Sequence, residues 1–414
     1  MKQLFSRKNA PGLVLFAAFW LIYTLAAFRL FYAQCTAVLD GTRTAAYNSD
    51  MWAYIPEMLG QKAAPTPFPY PILFLLGRLF HLVMGPAAAM ACATTLLVSL
   101  SVAAVFAGLA CTLLPRLKSI RDGYAPAILT ALAAMAVFLS AMLMLPGEGH
   151  LPGLKYDYVG VGTPSPWHNA TYLAARPFAV AAFFLLCRLL EVYETEGFAS
   201  HKGLYIGFAA ALVLTTLAKP SYTLLVCITA ACVMLYRLFR TRWRTFGKAF
   251  ALGLAFVPTA AVMLWQFFIR FTPGAEPGGG ITFGLGDAWL LYVDSIPLAV
   301  LYAIAFPLVT LLTHLPRLKT NTHFRFAWLQ YLVALLMAYF LKEGGSGLRD
   351  FNFFWGYMCG LLFLFVVSAE ALAEDIARWP QRKAAVIAQS IMLLCHIAGG
   401  VCYYVALMQG KMYF

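Results

Sequence analysis

Asp50 and Glu57 are two carboxylates in a chain that has few, with 17 Asp and Glu among 414 residues. Both lie in NSDMWAYIPEMLGQKAAPTPFPYPILFLLGRLFHLVMG (48–85), between one apolar run and the next. A carboxylate in such a loop can take a proton from a substrate hydroxyl, and a well-placed general base contributes about 10²–10⁴-fold to a rate. NSD is also good helix N-cap sequence, so capping is the ordinary alternative for Asp50. Glu57 follows seven residues later, on the same face of any helix that holds both. It is either a second functional acid or part of a solvated face. The prolines at 65, 67, 69 and 71 then lead an amphipathic helix onto the bilayer surface. An acid held beside that approach suggests chemistry on a substrate carried by a lipid.

Cations suited to such a substrate occur further along. Lys219 precedes Pro220 at a corner between two apolar runs. It can hold a phosphate as a point charge, or snorkel from a helix end to the headgroups. Arg349 in LKEGGSGLRDFNFFWG (341–356) has the fork for a bidentate phosphate contact, with a local ion pair as its alternative; Arg176 is the third such cation. The loop 146–173 is long for a bundle, and long ordered loops tend to be functional. It carries His150, Lys155, Asp157, Trp167, His168 and Asn169. Trp167 beside His168 and Asn169 offers a flat apolar surface with two hydrogen-bonding neighbours, as a sugar face requires; an aromatic belt residue is the alternative. Asp157 and Asn352 complete the residues considered for sugar or acceptor. Asn169-Ala170-Thr171 is formally a glycosylation sequon. His150, His168 and Asp157 could ligate a metal, but lack a recognisable spacing. The glycine-rich loop 271–291, with Glu276 and Asp287, has the composition of a lid.

Composition sets the framework that must position these residues. The chain is 62% hydrophobic and 11% charged, with a mean hydropathy of +0.76, far from a soluble domain. A helical span needs about 20 apolar residues. Eleven runs qualify, at 12–32, 87–114, 124–145, 174–190, 204–218, 221–236, 249–270, 292–313, 326–341, 353–372 and 384–408. The expected fold is therefore all-α, a polytopic transmembrane bundle of about 11 spans in one integral membrane domain, residues 1–414. A juxtamembrane helix belongs in its first outer loop. The first run has no small-residue cleavage site after it and reads as an uncleaved anchor. Nine scattered cysteines without a CxxC pair read as core residues.

Charge orients the bundle. With the N-terminus inside, the cytoplasmic side takes 19 of the 30 Lys and Arg and 7 of the 17 acids, nearly all of the net +13. The excess, in runs such as RLFRTRWR (237–244), is the positive-inside pattern and suits anionic headgroups. No nucleic-acid partner is needed to explain it. The loops at 33–86, 146–173, 271–291 and 342–352 and the Lys219 corner then face outward. No GxxxxGK[ST] occurs, and no GxGxxG opens a helix after a strand. An outward-facing enzyme has no nucleotide supply, so its substrate must arrive on a lipid.

Two segments carry a resemblance. PYPILFLLGRLFHLVMG (69–85) resembles the stretch HPPLxYxLLxxLFxLFG of the GT-C superfamily of membrane glycosyltransferases, which follows an acid in the first outer loop. GLYIGFAAALVLTTLAKPSYTLLV (203–226) is similar to the GLxxGLAxLTKP corner of that superfamily. The likeness is of pattern and covers about the first 230 residues, so 1–236 would be the core module and 237–414 additional spans. It implies transfer of a sugar from a polyprenyl-phosphate or diphosphate donor to a glycan, glycolipid or teichoic-type acceptor. Asp50 would be the base or would bind a divalent ion. Lys219, Arg349 and Arg176 would hold the donor phosphate, and Trp167, His168, Asn169, Asp157 and Asn352 would meet sugar or acceptor. Those enzymes often have an acidic pair where this chain has Ser49-Asp50, so a metal, Mg or Mn, is possible but not assumed. A bacterial inner or plasma membrane is the expected location. The rival readings are a glycan polymerase or ligase, a lipid-linked glycan flippase or transporter, and a non-catalytic assembly subunit.

Overall fold

The structure is a computed structural model and describes residues 6–39, 46–61, 68–145, 149–270 and 280–411. Its helices, in chain order, begin with α1 (Ala10–Leu39), α2 (Met51–Met58), α3 (Pro71–His81), α4 (Pro86–Lys118), α5 (Ala125–Leu139) and α6 (Ala170–Val192). There follow the single turn α7 (Gly197–Ser200), then α8 (Lys202–Ala218), α9 (Ser221–Arg240), α10 (Phe246–Leu254) and α11 (Val257–Arg270). A short strand β1 (Ile281–Phe283) and the turn α12 (Asp287–Leu290) precede α13 (Ile296–Thr313), the turn α14 (Arg317–Thr320) and α15 (Thr322–Phe340). Strand β2 (Leu341–Glu343) pairs antiparallel with β1, and α16 (Phe354–Ala377) and α17 (Lys383–Met408) complete the bundle.

Among the described residues seven helices are long and apolar enough to cross a membrane: α1, α4, α6, α9, α13, α16 and α17, with the first and sixth extended by a flanking 3-10 turn. An eighth span arises if α10 and α11, bent by 45° at their junction, are counted together. This is an integral membrane bundle with fewer full-length spans than eleven apolar runs suggested. The remaining three runs fall short for physical reasons. α5 has 15 residues and α8 has 17, which at 1.5 Å per residue give about 22 and 26 Å against a hydrocarbon core of about 30 Å. α15 has the length, but its polar positions, among them His323, Arg325 and Gln330, dilute its apolar character. A short helix does follow the prolines of the loop after α1, as α3, which buries Leu73, Phe74 and Gly77 and exposes Leu75 and Leu79.

Helix ends follow local chemistry. Pro71 and Pro86 stand at first helical positions, where a missing N–H costs nothing. Pro220 disfavours helical backbone in the residue before it, and Lys219 is accordingly extended, at φ −170° and ψ 131°. That break creates the α8–α9 corner. α16 is buried on every side except at Ile376 and forms the centre, packed against α4, α5, α9, α13, α15 and α17.

The bundle has two chemically distinct ends. At one end lie α2, the loop 149–169, the α8–α9 corner, the β1–β2 pair and the 3-10 turn Gly345–Asp350. The other end is held by ion pairs that the sequence did not disclose. Arg116 of α4 reaches Glu370 at 2.9 Å and Glu374 at 2.7 Å, and Arg317 reaches Glu374 at 2.6 Å. His314 and Arg382 meet Asp375 at 3.1 and 3.0 Å, and Gln389 donates to the same carboxylate at 2.9 Å. These contacts link α4, α13, α14, α16 and α17. Such buried pairs fix geometry more than they add net stability.

α5 stops early because α17 takes over its terminal groups. Ala141 N–H donates to the His396 carbonyl at 3.0 Å, and His396 Nδ1 lies 2.6 Å from Ala141 O. Phe306 N–H donates to His396 Nε2, which assigns the imidazole proton to Nδ1. Close approach of the chains requires Gly399 and Gly400, where a Cβ would overlap the carbonyl oxygens of Met142 and Leu139. Gly400→Val is expected to push α17 off α5 and lower the melting temperature by several degrees. Gly203→Ala, where a Cβ meets nothing within 4 Å, should leave it unchanged in the same thermal-unfolding measurement.

Candidate functional site

The polar cluster at the first end is built on Asn169. This residue is the N-cap of α6 in the left-handed region, at φ 63°, and its Oδ1 accepts from Tyr172 N at 3.0 Å. Asparagine tolerates this conformation better than most residues. The same Oδ1 accepts from Thr171 Oγ1 at 2.7 Å and from Lys219 Nζ at 3.1 Å. Lys219 also donates to Thr171 Oγ1 at 3.4 Å. Its ammonium stands 4.9 Å from the centre of the Trp355 ring and 5.9 Å from that of Tyr70.

Asp50 is at the N-cap position of α2, but its side chain makes no capping hydrogen bond. Only its backbone carbonyl starts the helix, accepting from Ala53 and Tyr54. The carboxylate is used elsewhere: Oδ2 accepts from the Tyr54 hydroxyl at 3.3 Å and lies 3.5 Å from His168 Nε2. Its side chain is 30% exposed, whereas Lys219 is 5% exposed and His168 is 9% exposed. The cluster thus presents its carboxylate to solvent and keeps its cation behind.

Burial lowers the Lys219 ammonium to about 8, against the opposing negative charges of Asp50, Glu343 and Asp350. Burial likewise lowers His168, with Asp50 opposing and Lys219 reinforcing the shift, so the imidazole is favoured in its neutral form. No carboxylate pairs directly with Lys219 among the described residues. A buried cation held only by neutral groups is costly, and an arriving anion would relieve that cost. The arrangement can therefore take a proton at Asp50 and hold an anion at Lys219.

Of the residues singled out in the sequence, the fold brings Asp50, His168, Asn169 and Lys219 together. Others go elsewhere. Trp167 is 5% exposed, its ring packed among Tyr23 and Phe31 of α1 and Tyr404 of α17. It offers no sugar face, because the turn that aims His168 at Asp50 sends its neighbour into the core. Arg176 lies two turns into α6, 1% exposed, with Nη2 donating to Pro164 O at 3.2 Å and the guanidinium over Phe138. It braces the 149–169 loop and shares no hydrogen-bond partner with Lys219 among the described residues.

Asp157 pairs with His150 at 3.0 Å, apart from the cluster. Asn352 donates to both Glu343 oxygens at 3.1 Å and holds the segment between β2 and α16 closed on itself. Arg349 has an exposed side chain, and among the described residues only its carbonyl is engaged, by Tyr292. Glu57 lies in the last turn of α2 and shares no partner with Asp50 among the described residues; its carbonyl accepts from Arg78. Asn169 is buried, with its Oδ1 engaged by Thr171, Tyr172 and Lys219, and burial closes the sequon to glycosylation.

Glu276 lies outside the described residues. The described part of the 271–291 loop is tied down: Asp287 pairs with Lys342, and buried Trp289 donates to Gly160 O at 2.6 Å. It is not a free lid. Among the described residues no three His, Cys, Asp or Glu side chains gather to hold a metal ion. His150 with Asp157 and His168 with Asp50 are separate pairs. One carboxylate and one imidazole beside an ammonium do not fit the oxygen-rich set that Mg takes.

Sequence reasoning missed Tyr54, Tyr70, Thr171 and Trp355. Tyr54 was within reach of it, since i and i+4 share a helix face; Thr171 and Trp355 carried no signal of their own. The chain matches no protein-family model, and no curated protein matches it.

Proposed function

We propose that this protein is a membrane glycosyltransferase of the GT-C type. It would move a sugar from a polyprenyl-phosphate or diphosphate donor to a glycan, glycolipid or teichoic-type acceptor. The observation that carries the proposal is a solvent-open carboxylate, Asp50, in the same cluster as a buried lysine, Lys219, that among the described residues has no direct counter-ion and two neutral hydrogen-bond partners. Lys219 would bind the donor phosphate and stabilise the charge that develops on it as the glycosidic bond breaks. Asp50 would remove the acceptor proton while that oxygen attacks the anomeric carbon. A single displacement inverts the anomeric centre.

The charge distribution supports placing this end outside a bacterial inner or plasma membrane, with the basic end in the cytoplasm. A donor would then reach the site sideways from the outer leaflet, past α3, whose exposed Leu75 and Leu79 suit lipid contact. The test is direct. Purified protein in lipid nanodiscs is given radiolabelled polyprenyl-phosphate sugars with candidate acceptors, and labelled product is measured. Transfer from one such donor supports the proposal; donor moved across a sealed bilayer without chemical change would establish the flippase reading instead.

A further inference from the structure

Lys219 is 5% exposed, so a phosphate reaches its ammonium only after something moves. Two rings stand over it, Trp355 at 4.9 Å and Tyr70 at 5.9 Å. Trp355 belongs to the central helix α16 and packs on His168 and Tyr172, with centroids 5.6 and 5.1 Å away. Tyr70 is half-buried in the non-helical segment 68–70, between Pro69 and Pro71. Of the two rings, Tyr70 is the one whose displacement breaks no helix.

Gln266 of α11 holds that segment. Its Nε2 donates to Pro69 O at 2.9 Å and to Thr216 O at 2.6 Å. The second contact follows from Pro220. A helical carbonyl accepts from the N–H four residues on, and four residues after Thr216 stands a proline, which has none. Gln266 supplies the missing donor, so the break that makes the Lys219 corner also makes an anchor point for α11. One amide thereby ties the residue before Tyr70 to the helix end before Lys219.

The rest of α11 fits this role. Gln266 is 3% exposed, while Leu264, Phe267 and Phe268 around it are 58, 49 and 67% exposed. Thr259, two turns earlier on the same face, meets Thr216 Oγ1 and Leu212 O and fixes α11 to α8 by contacts that do not involve Pro69. Both Gln266 N–H groups are engaged, and its buried Oε1 has no hydrogen-bond partner among the described residues. A buried acceptor left unpaired is unfavourable, so this clasp opens more readily than a fully paired one. We propose that Gln266 is a positioning residue that latches Tyr70 over Lys219, and that opening the latch admits a lipid-borne phosphate to the ammonium. The identity of that ligand rests on the proposed sugar transfer; the latch itself does not.

Acetylation of Lys219 tests the latch directly. Protein in lipid nanodiscs is treated with acetic anhydride, and Lys219 is followed by peptide mass spectrometry against the exposed Lys202. Gln266→Met keeps the side-chain length and removes both N–H groups. It should raise Lys219 acetylation about tenfold, as expected for two lost hydrogen bonds. Thr259→Val, which loosens α11 but leaves the Pro69 contact, should not change it. Tyr70→Ala removes the ring and should raise acetylation at least as much. Acetylation at the wild-type rate in folded Gln266→Met or in Tyr70→Ala overturns the proposal, as does an equal rise in Thr259→Val. If Gln266→Met does not fold, Gln266→Asn, too short to reach both carbonyls, is held to the same criteria.

Affinity follows from the same opening. Acetylation scales with the open fraction, and the apparent Kd of a ligand that needs the open form falls as that fraction rises. Polyprenyl phosphate should therefore bind Gln266→Met about tenfold more tightly than wild type, and should protect Lys219 from acetylation in both. Raised acetylation with measurable but unchanged binding overturns the proposal. Raised acetylation in a protein that binds no polyprenyl phosphate refutes the proposed function and leaves the latch standing.

Discussion

Asp50→Asn is expected to abolish sugar transfer, lowering kcat by about 10²–10⁴-fold while the protein folds normally. The amide keeps the size of the carboxylate and still accepts from Tyr54, so the local hydrogen bonds survive. What it loses is the capacity to accept the acceptor proton. Because the side chain is 30% exposed and spends nothing on capping α2, its stability effect should stay within about 0.5 kcal/mol. Transfer assay and thermal unfolding on one preparation check both halves. A fully active variant would remove Asp50 from the mechanism, and an inactive but unfolded one would return it to a structural role.

Lys219→Met should weaken binding of polyprenyl phosphate by about 10–100-fold, the worth of one or two charge-assisted hydrogen bonds. Methionine keeps most of the length and removes a buried cation that lacks a direct counter-ion among the described residues, so the melting temperature should hold or rise. The opposite pattern, retained binding with a lowered melting temperature, would mark Lys219 as a structural cation for Asn169 and Thr171. The pH dependence follows from the same burial. Burial lowers the ammonium to about 8 in the free protein, and the charged form is the one proposed to hold phosphate, so binding should be lost as pH rises through that value. Affinity should therefore fall above about pH 8, where a solvated lysine would still be charged. In Lys219→Met the affinity should be flat across this range. Isothermal titration with the lipid phosphate in detergent measures both.

The two results rest on residues the sequence made visible in different ways. Asp50 stood out as a scarce acid, but whether it capped α2 or faced a ligand depended on where His168 and Tyr54 came to lie. Lys219 was legible as a corner, because Pro220 breaks a helix by local sterics alone. Its burial under Trp355 was not legible, since the partner lies far away in sequence. Trp167 and His168 show the limit most plainly. Adjacent residues in an irregular segment point in directions set by the backbone turn, and one went to the core while the other went to Asp50. The eleven apolar runs were real, yet three became helices too short or too polar to cross a membrane and a fourth is a bent pair.

By itself the sequence determined the class, an all-helical membrane bundle, together with the helix breaks and the separation of basic from mixed-charge loops. Those properties come from hydrophobic burial, backbone sterics and charge, which act over a few residues or along one helix. Tertiary structure alone decided which loop and helix-end residues meet. Asp50, His168 and Lys219 are brought together by the packing of α2, α6 and α8, and Arg176, Asp157 and Asn352 are turned to other partners. Contacts between residues so distant in the chain depend on how whole helices cross, and no local pattern encodes that.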